Sequence, residues 1–172
     1  MHEGEPLVRR IAKAAVEAGA NPVLVVLGAN AEAVAPVLSG LERVRMVVNN
    51  RWRTGLASSL VAGLAVVLED NSCEGVLVTL ADQPLVDAAA LRRLISAFDG
   101  ERRIVASSYD GTMGVPALFA REHIADLMRL TGDAGAGNWL RSRPRDVTCV
   151  PLDVAAVDID TVSDAAHLHP PS

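Results

Sequence analysis

The stretch Val76-Leu77-Val78-Thr79-Leu80-Ala81-Asp82-Gln83-Pro84 decides the reading of this chain. Its first five residues form an apolar run without alternation, which predicts a strand buried on both faces in the middle of a parallel sheet. Pro84 then stops the strand and turns the chain. Asp82 falls at the carboxyl end of that strand, where open α/β sheets place their ligands. Position alone leaves two roles open for it: holding a divalent cation against a polyphosphate, or capping the following turn.

Working outward, helix and strand signals alternate along nearly the whole chain. Pro6 suits a first helical turn, and Leu7, Ile11, Ala14, Ala15 and Ala18 recur on one face until Gly19. Residues 23–27 predict a strand closed by Gly28, Asn30 an N-cap for a helix to Leu38, and residues 44–48 a second strand. After a polar loop, a helix is expected to open at Ser58 or Ser59, with Leu60, Leu64 and Leu68 spaced four apart. Beyond Asp82, Leu91, Leu94, Ile95 and Phe98 mark another amphipathic helix. Residues 104–108 and 115–119 predict strands around the turn Asp110-Gly111. A helix over 121–130, a short one around Trp139, and strands near 148–152 and 157–159 complete the pattern, with Ser163 capping a last turn. With no repeat and no linker, residues 1–172 read as a single α/β domain of three layers.

Composition excludes several classes. The 172 residues suit one domain with a sizeable core. Half are hydrophobic but only 3% aromatic, so the core is built from Ala, Val and Leu. The net charge is −5 and the 16 basic residues are scattered, which argues against a nucleic-acid surface. No apolar run approaches the roughly 20 residues that span a bilayer, so no membrane partner is expected. Met1-His2-Glu3-Gly4-Glu5 lacks the basic and apolar regions of a signal peptide. Cys73 and Cys149 show no metal or redox spacing and read as reduced thiols of a cytoplasmic protein. His2, His123, His167 and His169 are not spaced as a zinc site.

Four segments carry candidate chemistry. The loop Asn49-Asn50-Arg51-Trp52-Arg53-Thr54-Gly55-Leu56-Ala57-Ser58-Ser59 is dense in polar groups and leads into a helix N-terminus, whose free amides suit an anion or nucleotide edge. Gly55 permits close backbone approach; Ser58 and Ser59 offer hydroxyls to a ligand or cap their own helix. Trp52 stacks on a base or covers the core edge. Gly114-Val115-Pro116 opens a strand where a glycine lets a substrate lie against the backbone. Gly132-Asp133-Ala134-Gly135-Ala136-Gly137 is a phosphate cradle in composition only, lacking the P-loop lysine. In Asp158-Ile159-Asp160-Thr161, a strand would put Asp158 and Asp160 on one face. Asp82 and Asp160 then converge on one Mg²⁺, for which two carboxylates, waters and phosphate oxygens suffice; the alternative is an acidic turn.

In order, these pieces resemble the MobA-like nucleotidyltransferases, most closely the molybdenum cofactor cytidylyltransferase branch. The matching residues are Glu5-Pro6-Leu7-Val8, Val23 to Gly28, Asn50, Gly55, Ser58-Ser59-Leu60, Gly63, Leu80, Asp82-Gln83-Pro84, Gly114 to Phe119, Leu130, Gly132-Asp133, Gly135-Ala136 and Asp158 to Thr161. The resemblance covers essentially the whole chain. It implies a Rossmann-like, mostly parallel sheet of the nucleotide-diphospho-sugar transferase type. It also implies transfer of CMP or GMP from CTP or GTP to the phosphate of molybdopterin cofactor, with release of pyrophosphate. By resemblance Asp82 and Asp160 are the catalytic Mg²⁺ ligands, and Gly55, Ser58, Ser59 and Asp82 bind the nucleotide. Gly114, Pro116, Gly132 and Asp133 face the acceptor. A molybdoenzyme or its maturation chaperone is the implied protein partner.

The family opens with a strand and a loop, Leu-Ala-Ala-Gly-x-Ser-x-Arg-Met-Gly-x-x-Lys, that holds the triphosphate. This chain starts after that point, so the resemblance implies a shortened domain without the first strand. That strand lies mid-sheet between those ending at Gly28 and Leu80; its loss leaves either a gap or a new pairing. Two other readings follow: a non-catalytic relative that binds a nucleotide, a pterin or a partner protein, and a nucleotidyltransferase for another phosphorylated acceptor.

Overall fold

The computed structural model describes residues 4–99 and 103–158. Asp160, Thr161 and Ser163 therefore lie outside the described residues.

Strand β1 (Val23–Leu27) pairs in parallel with β2 (Val44–Val48), with Val23 opposite Val44 and Leu27 opposite Val48. Helix α1 (Leu7–Glu17) precedes them. Between them runs α2 (Ala31–Val34), continued by a 3₁₀ turn to Leu38. Asn30 enters α2 in a left-handed conformation, φ 56°, and makes no side-chain cap. α3 (Leu56–Val67) then returns the chain to β3 (Gly75–Val78). Asp87 caps α4 (Ala88–Ala97) by accepting from the Ala90 amide.

The second sheet has the order β3-β5-β4-β6, formed with β4 (Ile104–Tyr109), β5 (Thr112–Ala120) and β6 (Thr148–Pro151). β4 runs parallel to β6, and β5 runs against both β3 and β4. β3, β4 and β6 thus share a direction, with β5 the reversed strand. Asp110 and Gly111 both take positive φ at the β4–β5 turn, as a tight hairpin demands. Between β5 and β6 lie α5 (Ile124–Leu127) and α6 (Ala136–Arg141).

Side-chain alternation builds the three layers. Val105 and Leu118, cross-strand partners, face a core made with Leu91 and Leu94 of α4 and Ile11 of α1. Their neighbours Ile104, Ala106, Ala117 and Phe119 face the opposite core, with Leu64 of α3, Ile124 and Leu127 of α5, and Trp139 of α6. Burial of each such Leu or Ile is worth about 1.5–3 kcal/mol.

β1 and β3 share no strand pairing among the described residues. Of the two outcomes expected between those strands, the gap is the one found. All four residues of β3 are half-buried rather than sealed on both faces, because β5 covers only one of its edges. The last predicted strand is also not seen in its described part: Val157 and Asp158 belong to no strand or helix.

Candidate active site

The loop after β2 is organised by one buried amide. Asn49 is 5% exposed, and its backbone N–H donates to the Leu27 carbonyl at 2.8 Å, carrying the parallel pairing one residue past the strands. Its side-chain NH₂ donates to the Ser58 and Ser59 hydroxyl oxygens at 2.9 and 3.0 Å, and its Oδ1 accepts from the Arg51 amide at 2.9 Å. Asn50 is exposed. A buried amide left unpaired would cost about 1–3 kcal/mol, so this clamp fixes where both serines sit.

Neither serine caps α3. The helix begins at Leu56 with Gly55 at the N-cap, and the Ser58 hydroxyl lies 2.8 Å from the Gly55 carbonyl and 3.1 Å from that of Arg51. Ser58 and Ser59 are helical residues tied back to the loop. One of the amides expected to meet an anion is occupied, since Ala57 N–H donates to the Gly132 carbonyl at 3.0 Å. Gly55, at φ 109°, lies so close to Gly132 that an added Cβ would fall 2.3 Å from the Gly132 carbonyl and 2.9 Å from the Asp133 nitrogen. Gly135 is likewise pressed on Leu56. Two segments distant in sequence, each singled out above, are thus one structural unit. Trp52 covers the end of β1, its Cβ 2.7 Å from where a Gly28 Cβ would stand, and the Arg53 guanidinium lies 4.4 Å over its ring.

The second group surrounds the end of β3. Asp82 is half-buried, and Gln83 beside it is 3% exposed. The Gln83 side-chain NH₂ donates to the carbonyls of Val115 at 3.1 Å and Ala155 at 2.9 Å, pinning the Asp82 turn to β5 and to the turn after β6. Gly114, Val115 and Pro116 form an irregularity in β5: the register jumps from Ala106–Ala117 to Ser107–Gly114. The buried Ser107 hydroxyl donates to the Pro116 carbonyl at 2.7 Å. Gly114 is needed by the protein itself, because a Cβ there would stand 2.3 Å from the Tyr109 hydroxyl. That hydroxyl donates to the Val115 carbonyl at 3.3 Å.

Tyr109 reports on the charges around this turn. Burial raises its pKa above the ordinary 10.0; the Asp158, Asp110 and Asp82 carboxylates raise it further, and Arg141 opposes them. Asp82 and Asp158, 76 positions apart in the sequence, therefore act on one phenol. α6 joins the two groups: Gly135 before it touches Leu56, and Arg141 at its end reaches the Met113 carbonyl at 3.5 Å. Its six residues span roughly 9 Å.

Among the described residues no group of three or more His, Cys, Asp or Glu side chains is gathered for a metal. The donors present still fit a hard divalent cation carried by a phosphate substrate, which takes one or two carboxylates. Asp82 and Asp158 supply carboxylates, and the buried Thr79 Oγ1 and Gln83 Oε1 make no hydrogen bond to a described residue. All are oxygen donors, the class suited to magnesium or manganese. Asn49 and Gln83 lie in segments that the sequence singles out but carry no role of their own there, and Tyr109 and Arg141 lie outside those segments. The available signal for Tyr109 was its being the chain's single tyrosine, set directly before the Asp110-Gly111 turn.

Comparison with known proteins bears on the family and the fold. The profile of the MobA-like NTP transferase domain matches residues 1–164. Nicotine blue oxidoreductase of Paenarthrobacter nicotinovorans is 32% identical over 178 residues, covering 97% of this chain and 84% of that protein. Among solved structures, a nucleotidyl transferase from Methanothermobacter superposes with a TM-score of 0.81 at 25% identity, covering 98% of this chain and 81% of that one. Rv0371c of Mycobacterium tuberculosis H37Rv, in complex with manganese, gives 0.75 at 26% identity, with 98% and 88% covered. Among the described residues no helix is long and apolar enough to cross a membrane.

Proposed function

The chain belongs to the MobA-like NTP transferase family, and from that premise we propose that it transfers CMP or GMP from the NTP to the phosphate of molybdopterin cofactor, with Mg²⁺ as the cation. Membership makes it a nucleotidyltransferase by family; the base, acceptor and metal are the proposal.

The single observation that carries this reading is the Gln83 clamp, which holds the Asp82 turn at the end of β3 against Val115 of β5 and Ala155 after β6. In this reading Asp82 is the principal cation ligand and Asp160 the second. Gly55, Ser58 and Ser59 line the base and ribose side of the nucleotide; Gly114, Pro116, Gly132 and Asp133 border the acceptor. The bound cation supplies charge neutralisation at the triphosphate oxygens. An acceptor phosphate oxygen forms a bond to the α-phosphorus as the bond from that phosphorus to the bridging oxygen breaks. Pyrophosphate leaves with the electron pair. A phosphate nucleophile is already ionised at neutral pH, so the protein's work is positioning and electrostatics. Manganese in the Rv0371c structure supports a divalent site of this kind.

The test is pyrophosphate release from CTP or GTP in the presence of Mg²⁺ and molybdopterin cofactor. Release by the wild type and its loss in Asp82→Ala supports the proposal. Metal-dependent nucleotide binding without release identifies a non-catalytic nucleotide binder. A second reading, an oxidoreductase acting on nicotine blue, is favoured by the 32% identity to nicotine blue oxidoreductase. A redox change of nicotine blue that depends on the chain, without pyrophosphate release, selects it.

A further inference from the structure

Strand β2 is the outer strand of its sheet: among the described residues it pairs with β1 and has no strand on its other side. Two of its side chains are exposed large hydrophobics, Met46 at 49% and Val48 at 59%. An open strand edge is a template for another strand, and natural edges are blunted by proline, bulges or charge. β2 contains no proline, its ladder with β1 has no register shift, and Arg45 is the charge it carries. We propose that this edge joins a second copy of the chain in an antiparallel β2–β2 pair whose two-fold axis passes through Met46.

The backbone fixes the register. The Arg43 carbonyl accepts from the Val23 N–H at 2.9 Å, and the Asn49 N–H donates to the Leu27 carbonyl at 2.8 Å. Along a strand the polar groups of successive residues point to alternate sides. Arg43, Arg45, Val47 and Asn49 therefore turn theirs to β1, while Val44, Met46 and Val48 turn theirs outward. With the axis at Met46, Val44 of each copy meets Val48 of the other and Met46 meets itself. Every outward N–H and C=O then finds a partner. The same alternation puts these side chains on one face, so each pair on that face is apolar.

Neighbouring registers match less well. A slip that sets Arg45 opposite Arg45 places like charges face to face, which destabilises a strand pair. With the axis at Met46, Arg45 stands opposite Val47, and the two arginines become diagonal neighbours roughly 7–8 Å apart. A slip the other way sets Val44 opposite Asn50 and breaks the apolar match. The face is also open to a second copy: Val44 packs against Ala12, Leu27 and Leu38, whereas Met46 and Val48 are left exposed. The contact is small, since the five residues of β2 span roughly 17 Å. It falls below the ~800 Å² per partner of a standard interface, so a dissociation constant on the order of 10–100 µM is expected.

Sedimentation of the purified chain, from well below to well above that concentration, is the test. A monomer–dimer equilibrium is expected. Met46→Lys sets two ammonium groups against each other on the axis and is expected to weaken it by about tenfold or more. Leu68→Lys, the same change at an exposed leucine after α3, is expected to leave it unaltered. Both positions are exposed, so both variants fold; thermal unfolding verifies it. In a Cys149→Ser background, Met46→Cys is expected to form a disulfide-linked dimer on mild oxidation, its Cα atoms lying about 5.5 Å apart across the axis, and Arg45→Cys to form little. A chain that stays monomeric throughout overturns the proposal and leaves the edge to a strand of another protein. Open-ended larger species, a dimer that survives Met46→Lys, or cross-linking through Arg45→Cys in preference to Met46→Cys overturn it as well.

Discussion

Gly55 and Gly132 meet backbone to backbone: a Cβ on the first would stand 2.3 Å from the carbonyl carbon and oxygen of the second. Gly55 also holds φ 109°, a conformation L side chains rarely adopt. Gly55→Ala therefore meets strain and collision together, and is expected to lower unfolding free energy by about 3 kcal/mol or more. Gly111→Ala is the control, with φ 71° and nothing within 4 Å of its added Cβ. It is expected to cost only the conformational term, about 1–2 kcal/mol. Urea unfolding of both checks this; equal losses would mean that the close approach of the two loops is unimportant.

Asn49 is the next residue to alter. Asn49→Ala deletes three hydrogen bonds of a buried amide and is expected to cost about 2–4 kcal/mol. Asn50→Ala, next to it and exposed, is expected to stay within about 0.5 kcal/mol of wild type. Denaturant midpoints decide, and a reversed order would reject Asn49 as the organiser of the serines.

Much of the architecture was legible because it rests on short-range patterns. The apolar runs at 23–27 and 44–48 are strands with those same limits, since period and β-branching suffice there. The reading failed where a neighbour decides. Residues 76–80 look sealed on both faces, yet β3 is half-buried, because burial depends on which strand lies beside it. Ser58 and Ser59 read as caps because they follow a polar loop; the close contact of Gly55 with Gly132 starts the helix earlier. Nor does any local pattern around Gly114 show that its missing side chain makes room for the Tyr109 hydroxyl. None of these long-range contacts has a local signature.

Gln83 locks the Asp82 turn to two other segments. Gln83→Ala would leave the Val115 and Ala155 carbonyls without their donor and open a cavity. The expected loss is about 3–5 kcal/mol, read by thermal unfolding. A loss below about 1 kcal/mol would show that those segments hold together without it.

Tyr109 supplies a pH signal, and as the single tyrosine it can be followed by tyrosinate absorbance. Its pKa in the folded chain lies above the ordinary 10.0, through burial first and the three carboxylates next. The sign follows. Stability from the protonated phenol is fully present below the unfolded value near 10 and is lost as pH rises through the higher folded value. Asp82→Asn is expected to lower the titration midpoint and Arg141→Gln to raise it. Midpoints indifferent to both substitutions would separate Tyr109 from those charges.

The most direct measurement uses a paramagnetic cation. Mn²⁺ added with CTP to the chain should broaden the Tyr109 ring resonances in the proton spectrum, and Asp82→Asn should abolish the broadening. Broadening that persists without the Asp82 carboxylate, or that never reaches Tyr109, would contradict a cation and triphosphate held at the end of β3.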